Sequence, residues 1–432
     1  MSTDAAAPTP PPARVAPVGP TKHSERSLAP DLARGSVLLF IALANVSVYH
    51  YGRELGLGYR PADGSGLDRT LNFLVAMLID ARSYPMFAML FGYGMVKVLD
   101  RQLRAGRTVG AAQRLLVRRN LWLLAFGAVH ATLLFLGDIL GPYAVTGLLA
   151  LLFITLRTRI LAWIAGVSLV PLTLAFGLSR LLASDEGLLS TDDYLLSMAI
   201  RFGVWVSNLV FIGGFFGLMA PVLIGVLLAR SGLLDRPWEH VRRLSRYAVA
   251  GIGLGAVGGL PYALQVAAWW DAPLGLSVLT ASLHALTGVA AGFGYICLFG
   301  LVAAALRGRG APGPLRPLAA TGERSLTAYL LQSVALAPLM SPWGLGLGGE
   351  ISSAQAYALA AGVWLATVVI ATGLAAAGNR GPFEILLRRL MYGRPRPAAP
   401  VIGPPAASPT TPPVGDATPV TRSGPSATPP VG

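Results

Sequence analysis

The side chains able to do chemistry in this chain are few, and most lie inside apolar stretches. His130 stands in Gly127-Ala-Val-His130-Ala-Thr-Leu-Leu-Phe-Leu-Gly-Asp138-Ile-Leu-Gly-Pro-Tyr143. An imidazole with a near-neutral pKa suits taking and returning a proton, which is general acid–base work. Asp138 follows about two helical turns later, too far for a hydrogen-bonded dyad on one continuous helix. A substrate or water could bridge the two, or His130 could pair with Asn45. Asp80 and Arg82, two residues apart on a helix, do not face each other, so each needs its own partner. His284 is a lone histidine, a type that often serves as a satisfied packing group. The single cysteine, Cys297, excludes an intramolecular disulfide and any cysteine-based metal cluster. No metal site and no permanently bound cofactor are expected.

The elements that position these residues follow from composition. Hydrophobic residues make up 54% of the 432, charged residues only 12%, and the mean hydropathy is +0.60. A soluble domain usually carries about 25% charged residues, so the excess apolar surface needs a lipid bilayer to cover it. The formal charge of +14 sits between hydrophobic runs rather than on one basic face, which argues for membrane topology and against nucleic acid.

Apolar segments long enough to cross a bilayer take roughly 20 residues each. They fall near 34–51, 71–97, 118–136, 139–157, 160–182, 202–230, 246–269, 275–306, 325–341 and 355–378. This predicts an all-α, polytopic transmembrane bundle of about ten spans. Alternate connections are basic: Lys97 to Arg119, Arg157 and Arg159, Arg230 to Arg246, Arg307 to Arg316, and Arg380 to Arg389. The others carry Asp138, then Asp185, Glu186, Asp192 and Asp193, then Asp271, then Glu350. Basic loops stay in the cytoplasm, so both termini are expected inside. Residues 1–28 and 395–432 are Pro/Ala- and Pro/Thr/Ala-rich, the composition of disordered cytoplasmic tails around a membrane domain at 29–394.

On these spans Asn45 and His130 each lie about six residues short of the outer end, roughly 9 Å below it. Asp80, Arg82 and His284 fall near mid-membrane, Asp80 and Arg82 just before a Tyr84-Pro85 step that can bend the helix. The polar set is therefore expected to converge on one cavity opening outward.

The same stretches carry a resemblance. Asp31-Leu-Ala-Arg34-Gly35 with Asn45-Val-Ser, Phe87 to Gly94, His130 to Gly147, Ile224 to Gly232, Gly322-Glu-Arg-Ser-Leu-Thr327-Ala-Tyr329-Leu-Leu-Gln332-Ser and Gly381-Pro-Phe-Glu384 through Arg388 resemble, in order, the YeiB-like bacterial membrane proteins, a domain of unknown function. The resemblance implies a multi-pass protein of the bacterial cytoplasmic membrane. Wider relatives are the acyltransferase-3 proteins and the lysosomal heparan N-acetyltransferase. Acyltransferase-3 proteins place a histidine eleven positions after the arginine that matches Arg34, where this chain has Asn45. The heparan enzyme resembles this chain in its Asn, but its catalytic histidine falls where this chain has Gly56. An acyltransferase reading therefore moves the base to His130, with His50 as the lesser candidate.

In that reading acyl-CoA is a co-substrate presented from the cytoplasm. Arg114, Arg118 and Arg119 hold its phosphates, although plain topology also explains them. His130 is the base, Asn45 donates to the thioester oxygen, and Asp138 and Tyr143 orient a small-molecule, glycan or lipid acceptor arriving from outside. Arg34, Asp80, Arg82 and His284 complete the substrate-binding set. The rival reading is a transporter or exporter, since intramembrane carboxylates and histidines also serve proton coupling. Thr327, Tyr329 and Gln332 are expected on the inner half of the ninth span. Glu384 and Arg388 are expected to form an i,i+4 ion pair. Oligomeric state is not encoded in any of these features.

Overall fold

A computed structural model describes residues 28–181, 190–308, 313 and 315–392. Both expected tails, Asp185, Glu186 and Arg309 lie outside the described residues, apart from Leu28 at the inner edge of the first. Regular structure among these residues is helical. Its first third comprises α1 (Leu28–Val46), α2 (Gly66–Leu78), α3 (Ser83–Arg104), α4 (Val109–Leu133) and α5 (Leu140–Ala150). Then come α6 (Thr158–Val167), α7 (Leu169–Leu178), α8 (Tyr194–Asn208) running into a π-helical segment at Leu209–Phe216, and α9 (Met219–Ser231). The remainder is α10 (Val241–Val266), α11 (Leu274–Ala305), α12 (Leu315–Glu323), α13 (Ser325–Met340), α14 (Ser353–Ala376) and α15 (Pro382–Tyr392). Among the described residues there is no named strand, only an isolated bridge between Leu55 and Pro61.

Local sequence explains many ends. Ser65 with Asp68 and Ser352 with Gln355 form capping boxes, and Thr108 caps α4, each supplying acceptors to N–H groups without helical partners. Gly232 ends α9 in the left-handed conformation.

Among the described residues, seven helices or helix pairs are long and apolar enough to cross a membrane. Adding α4, 25 residues long with arginines in its first half, and the short apolar helices α5 and α13 makes ten, with α9 continuing the segment that α8 begins. The segment expected at 202–230 starts earlier, at Tyr194, and is interrupted at Gly217–Leu218. The segment expected at 71–97 is also broken, at Ile79–Arg82, where Ala81 has φ +56°. That break precedes the Tyr84-Pro85 step. Pro85 itself lies in the first turn of α3, where its missing N–H has no intrahelical partner to lose.

The basic loops gather at one end. Lys97 pairs with Asp235 at 2.6 Å, and Arg230 donates to the Leu156 carbonyl at 2.7 Å. Arg307 covers the Trp238 ring, and Arg324 donates to the Asn379 carbonyl from two nitrogens. At the opposite end His50, Tyr51 and Arg53 hold the carbonyls of Gly348, Gly346 and Gly349. Connections expected on the basic side thus touch one another in space.

Close helix packing rests on glycine, as is common where lipid removes the hydrophobic drive for association. In the α3/α9 pair, a Cβ on Gly92 would stand 2.1 Å from the Val222 carbonyl oxygen, and one on Gly225 would stand 2.0 Å from that of Met89. Two backbones therefore meet at this crossing.

Candidate functional site

The site begins where α4 stops. At Leu134 the helix ends, with the N–H groups of Leu134 and Phe135 both returning to the His130 carbonyl. The chain reverses within the next few residues and enters α5. Reversal brings Asp138 back beside His130, whose Nδ1 lies 2.8 Å from Asp138 Oδ1, with both side chains buried. The expectation that the two are too far apart is overturned because it assumed a continuous helix. Neither a bridging ligand nor Asn45 is needed to connect them.

Asp138 is held from three sides. Its second oxygen accepts the Gly141 N–H at 2.8 Å, at the start of α5 where helix N-termini favour negative charge, and the Trp205 indole N–H at 3.1 Å. An ionised carboxylate only accepts, so its contact with His130 places the proton on Nδ1. In that tautomer Nε2 carries the lone pair. That atom is buried and has no partner among the described residues. Gly127 permits the whole arrangement, since a Cβ there would stand 2.6 Å from Asp138 Oδ2 and 2.5 Å from the Gly141 nitrogen.

The His130 ring packs against Tyr329, with ring centres 5.1 Å apart, and Tyr329 accepts the Ile139 N–H at 3.3 Å. Tyr329 also lines a cavity of about 210 Å³ bounded by Arg34, Phe91, Arg119 and Tyr143. A second cavity of about 430 Å³ shares Arg119, Glu323 and Glu384 with the first and lies among Arg101, Arg324, Arg380 and Arg388. These cavities approach the His–Asp pair from the arginine-rich end. Asp80, Arg82 and His284 line neither of these two cavities.

The other candidates divide as follows. Arg34 borders the inner cavity and reaches Asp31 and the Leu90 carbonyl, both at 3.4 Å. Tyr143 borders it too, but its hydroxyl is engaged by the Tyr84 carbonyl at 2.8 Å. Of the three arginines expected to hold phosphates, Arg119 lines both cavities, while Arg114 and Arg118 are exposed on α4 and line neither. Asn45 is half-buried one turn before Tyr49, whose ring stacks on Phe135 at 5.2 Å. Among the described residues its amide has no hydrogen bond to His130.

Asp80, Arg82 and His284 are not brought to this site. Asp80 pairs with Arg60 at 2.6 Å, and Arg60 donates to the Tyr357 hydroxyl at 2.9 Å. Burial works against the charge on Arg60, but the Asp80 carboxylate and Tyr357 outweigh it and raise its pKa, leaving a fixed cation. Arg82 is bonded to His284 at 3.1 Å and to the carbonyls of Ala76, Asp80 and Gly255. Asp80 and Arg82 thus have separate partners, as their spacing requires.

Glu384 does not pair with Arg388. Its oxygens accept from the Leu326 and Thr327 N–H groups at 2.8 and 3.0 Å and from the Thr327 hydroxyl at 2.5 Å, capping α13. Helix-end donors with no other partner outcompete a half-buried arginine one turn away. Gln332 donates to the Leu38 carbonyl at 3.3 Å, tying α13 to α1.

Two residues of the site escape a reading by motif, Trp205 and Arg201. Fully buried Arg201 donates to the Thr132 carbonyl at 2.9 Å and to Ser197 at 2.6 Å, closing the end of α4. An arginine inside an apolar run with a tryptophan one turn later was the available signal.

Fold and site define a polytopic helical membrane protein with a buried His–Asp pair above an arginine-lined cavity. Residues 228–394 match the family described as "Protein of unknown function (DUF418)". The chain is 25% identical over 412 residues to the uncharacterized protein YxaH of Bacillus subtilis (strain 168), covering 86% of this chain and 96% of the relative. It is 26% identical over 410 residues to the uncharacterized protein YeiB of Escherichia coli (strain K12), covering 87% and 98%. The chain is thus similar to YxaH and YeiB along most of its length, in line with the resemblance its motifs carry.

Proposed function

We propose that this chain is a membrane acyltransferase in which His130 is the general base. One observation carries the reading: a buried histidine fixed by a carboxylate through Nδ1, with Nε2 unpartnered among the described residues, packed on a tyrosine that lines a cavity from the arginine-rich end. This is the arrangement in which a carboxylate sets the tautomer and stabilises the imidazolium that forms. An acyl-CoA enters from the arginine-rich side with its thioester toward Tyr329. His130 Nε2 removes the proton from an acceptor hydroxyl or amine as that atom attacks the thioester carbonyl. The C–S bond then breaks, and the CoA thiolate takes the proton back from the imidazolium. Asn45, with its amide uncommitted, stays available to donate to oxygen as charge builds there.

Transport is the second reading, favoured by the interruption at Ile79–Arg82, because discontinuous helices line many transporter sites. Arg82 weighs against it, since its bonds to the Ala76 and Asp80 carbonyls staple that break shut.

Thermal stability of the purified protein with acetyl-CoA, succinyl-CoA and desulfo-CoA tests donor binding, because a ligand specific to the folded state raises stability. Thiol release from the stabilising donor in the presence of cell-envelope acceptors tests transfer. Release that disappears in His130→Ala supports the enzyme. A folded wild-type protein that shows neither a shift nor release moves the reading to transport.

A further inference from the structure

We propose that the 430 Å³ vestibule at the arginine-rich end is a binding site for a phosphate ester whose neutral tail passes into the 210 Å³ inner cavity, with Arg119 at the junction. Five guanidiniums border the vestibule, from Arg101, Arg119, Arg324, Arg380 and Arg388, against two carboxylates. Those carboxylates are already engaged. Glu384 is spent on the α13 N-terminus, and Glu323 lies 3.6 Å from Arg324. Arg324 is itself directed at the Asn379 and Ala320 carbonyls.

Arg119 is the informative member. Its guanidinium lies on the Phe91 ring at 4.6 Å, which fixes its plane, while Nη1 is buried and has no partner among the described residues. A buried guanidinium N–H without an acceptor is costly, and a planar fork matches phosphate oxygens. Beyond Arg119 the inner wall changes character, with Phe87, Leu90, Phe91 and Leu123 accepting a slim neutral tail. The vestibule volume falls in the range of about 300–1,000 Å³ typical of small-molecule sites. The phosphate can belong to a soluble ester or to a lipid headgroup; these are the cavities through which the acyl-transfer reading admits its donor, and the inference deepens that reading by naming the groups that hold the phosphate.

The test is equilibrium binding to the full-length protein in phosphatidylcholine nanodiscs, using ADP as the soluble probe and dioctanoyl phosphatidic acid as the lipid probe. Saturable binding of either is expected, weakened at least about 10-fold in Arg119→Ala and in Arg388→Ala and unchanged in Arg114→Ala, which lies on the same helix outside both cavities. The probe that binds identifies the source of the phosphate. Arg388→Ala carries the test alone if Arg119→Ala fails to fold. Absence of saturable binding by both probes to protein with wild-type melting behaviour, or equal weakening in Arg114→Ala, overturns the proposal. Neither result depends on thiol release.

Discussion

Arg201 and Trp205 stand one turn apart on α8 and hold the two sides of one bend: Arg201 binds the Thr132 carbonyl at 2.9 Å, and Trp205 binds Asp138 at 3.1 Å. The reversal that creates the His130–Asp138 pair is therefore fastened by a helix remote in sequence. Without that fastening, the end of α4 leaves buried carbonyls unpaired.

Replacing Arg201 with Met is expected to destabilise the protein by about 1–3 kcal/mol, the cost of stranding a buried acceptor. Unfolding in detergent reads this directly. Unchanged stability would show that water reaches those carbonyls and that the bend does not depend on Arg201.

Asp138→Asn preserves shape, but the Gly141 and Trp205 donors claim its one remaining oxygen and turn its NH2 toward His130, which reverses the tautomer. Thiol release should fall about 10²- to 10⁴-fold with little change in donor-induced stabilisation, since base catalysis is lost and donor binding is kept. An active Asp138→Asn protein would remove His130 from the chemistry.

Asp80→Asn strands Arg60, whose side chain is only 4% exposed. Breaking a buried pair costs about 3–5 kcal/mol, and the 19% exposure of Asp80 places this one toward the lower end. The double variant Arg60→Leu with Asp80→Leu should lose less than the sum of the single losses, which a double-mutant cycle measures.

Gly92→Ala is expected to cost about 1–3 kcal/mol or more, because its Cβ collides with backbone rather than with a flexible side chain. Gly362→Ala, in α14 with nothing within 4 Å of its Cβ, should instead stabilise by about 0.5–1 kcal/mol. Comparing melting curves of the two separates close packing from helix propensity.

Composition made the helical bundle legible, because the bilayer imposes the length and apolarity of its elements. Helix breaks were less legible. The break at Ile79–Arg82 has no proline in it, and it forms around the bonds that Arg82 makes to Ala76, Asp80 and Gly255. His130 and Asp138 were visible as residues but not as a pair, since their contact depends on where α4 ends. Trp205 and Arg119 acquire roles only through tertiary neighbours, and a single sequence does not show which helices touch.

The apolar window of Tyr194–Gly214 is only 17% buried, so the helix carrying Arg201 and Trp205 faces outward over most of its surface. The carboxylate that orients His130 is thus supported by the element most exposed to the acyl chains. Bilayer thickness and lateral pressure act on α8 first, which couples the geometry of the His–Asp pair to the physical state of the membrane around it.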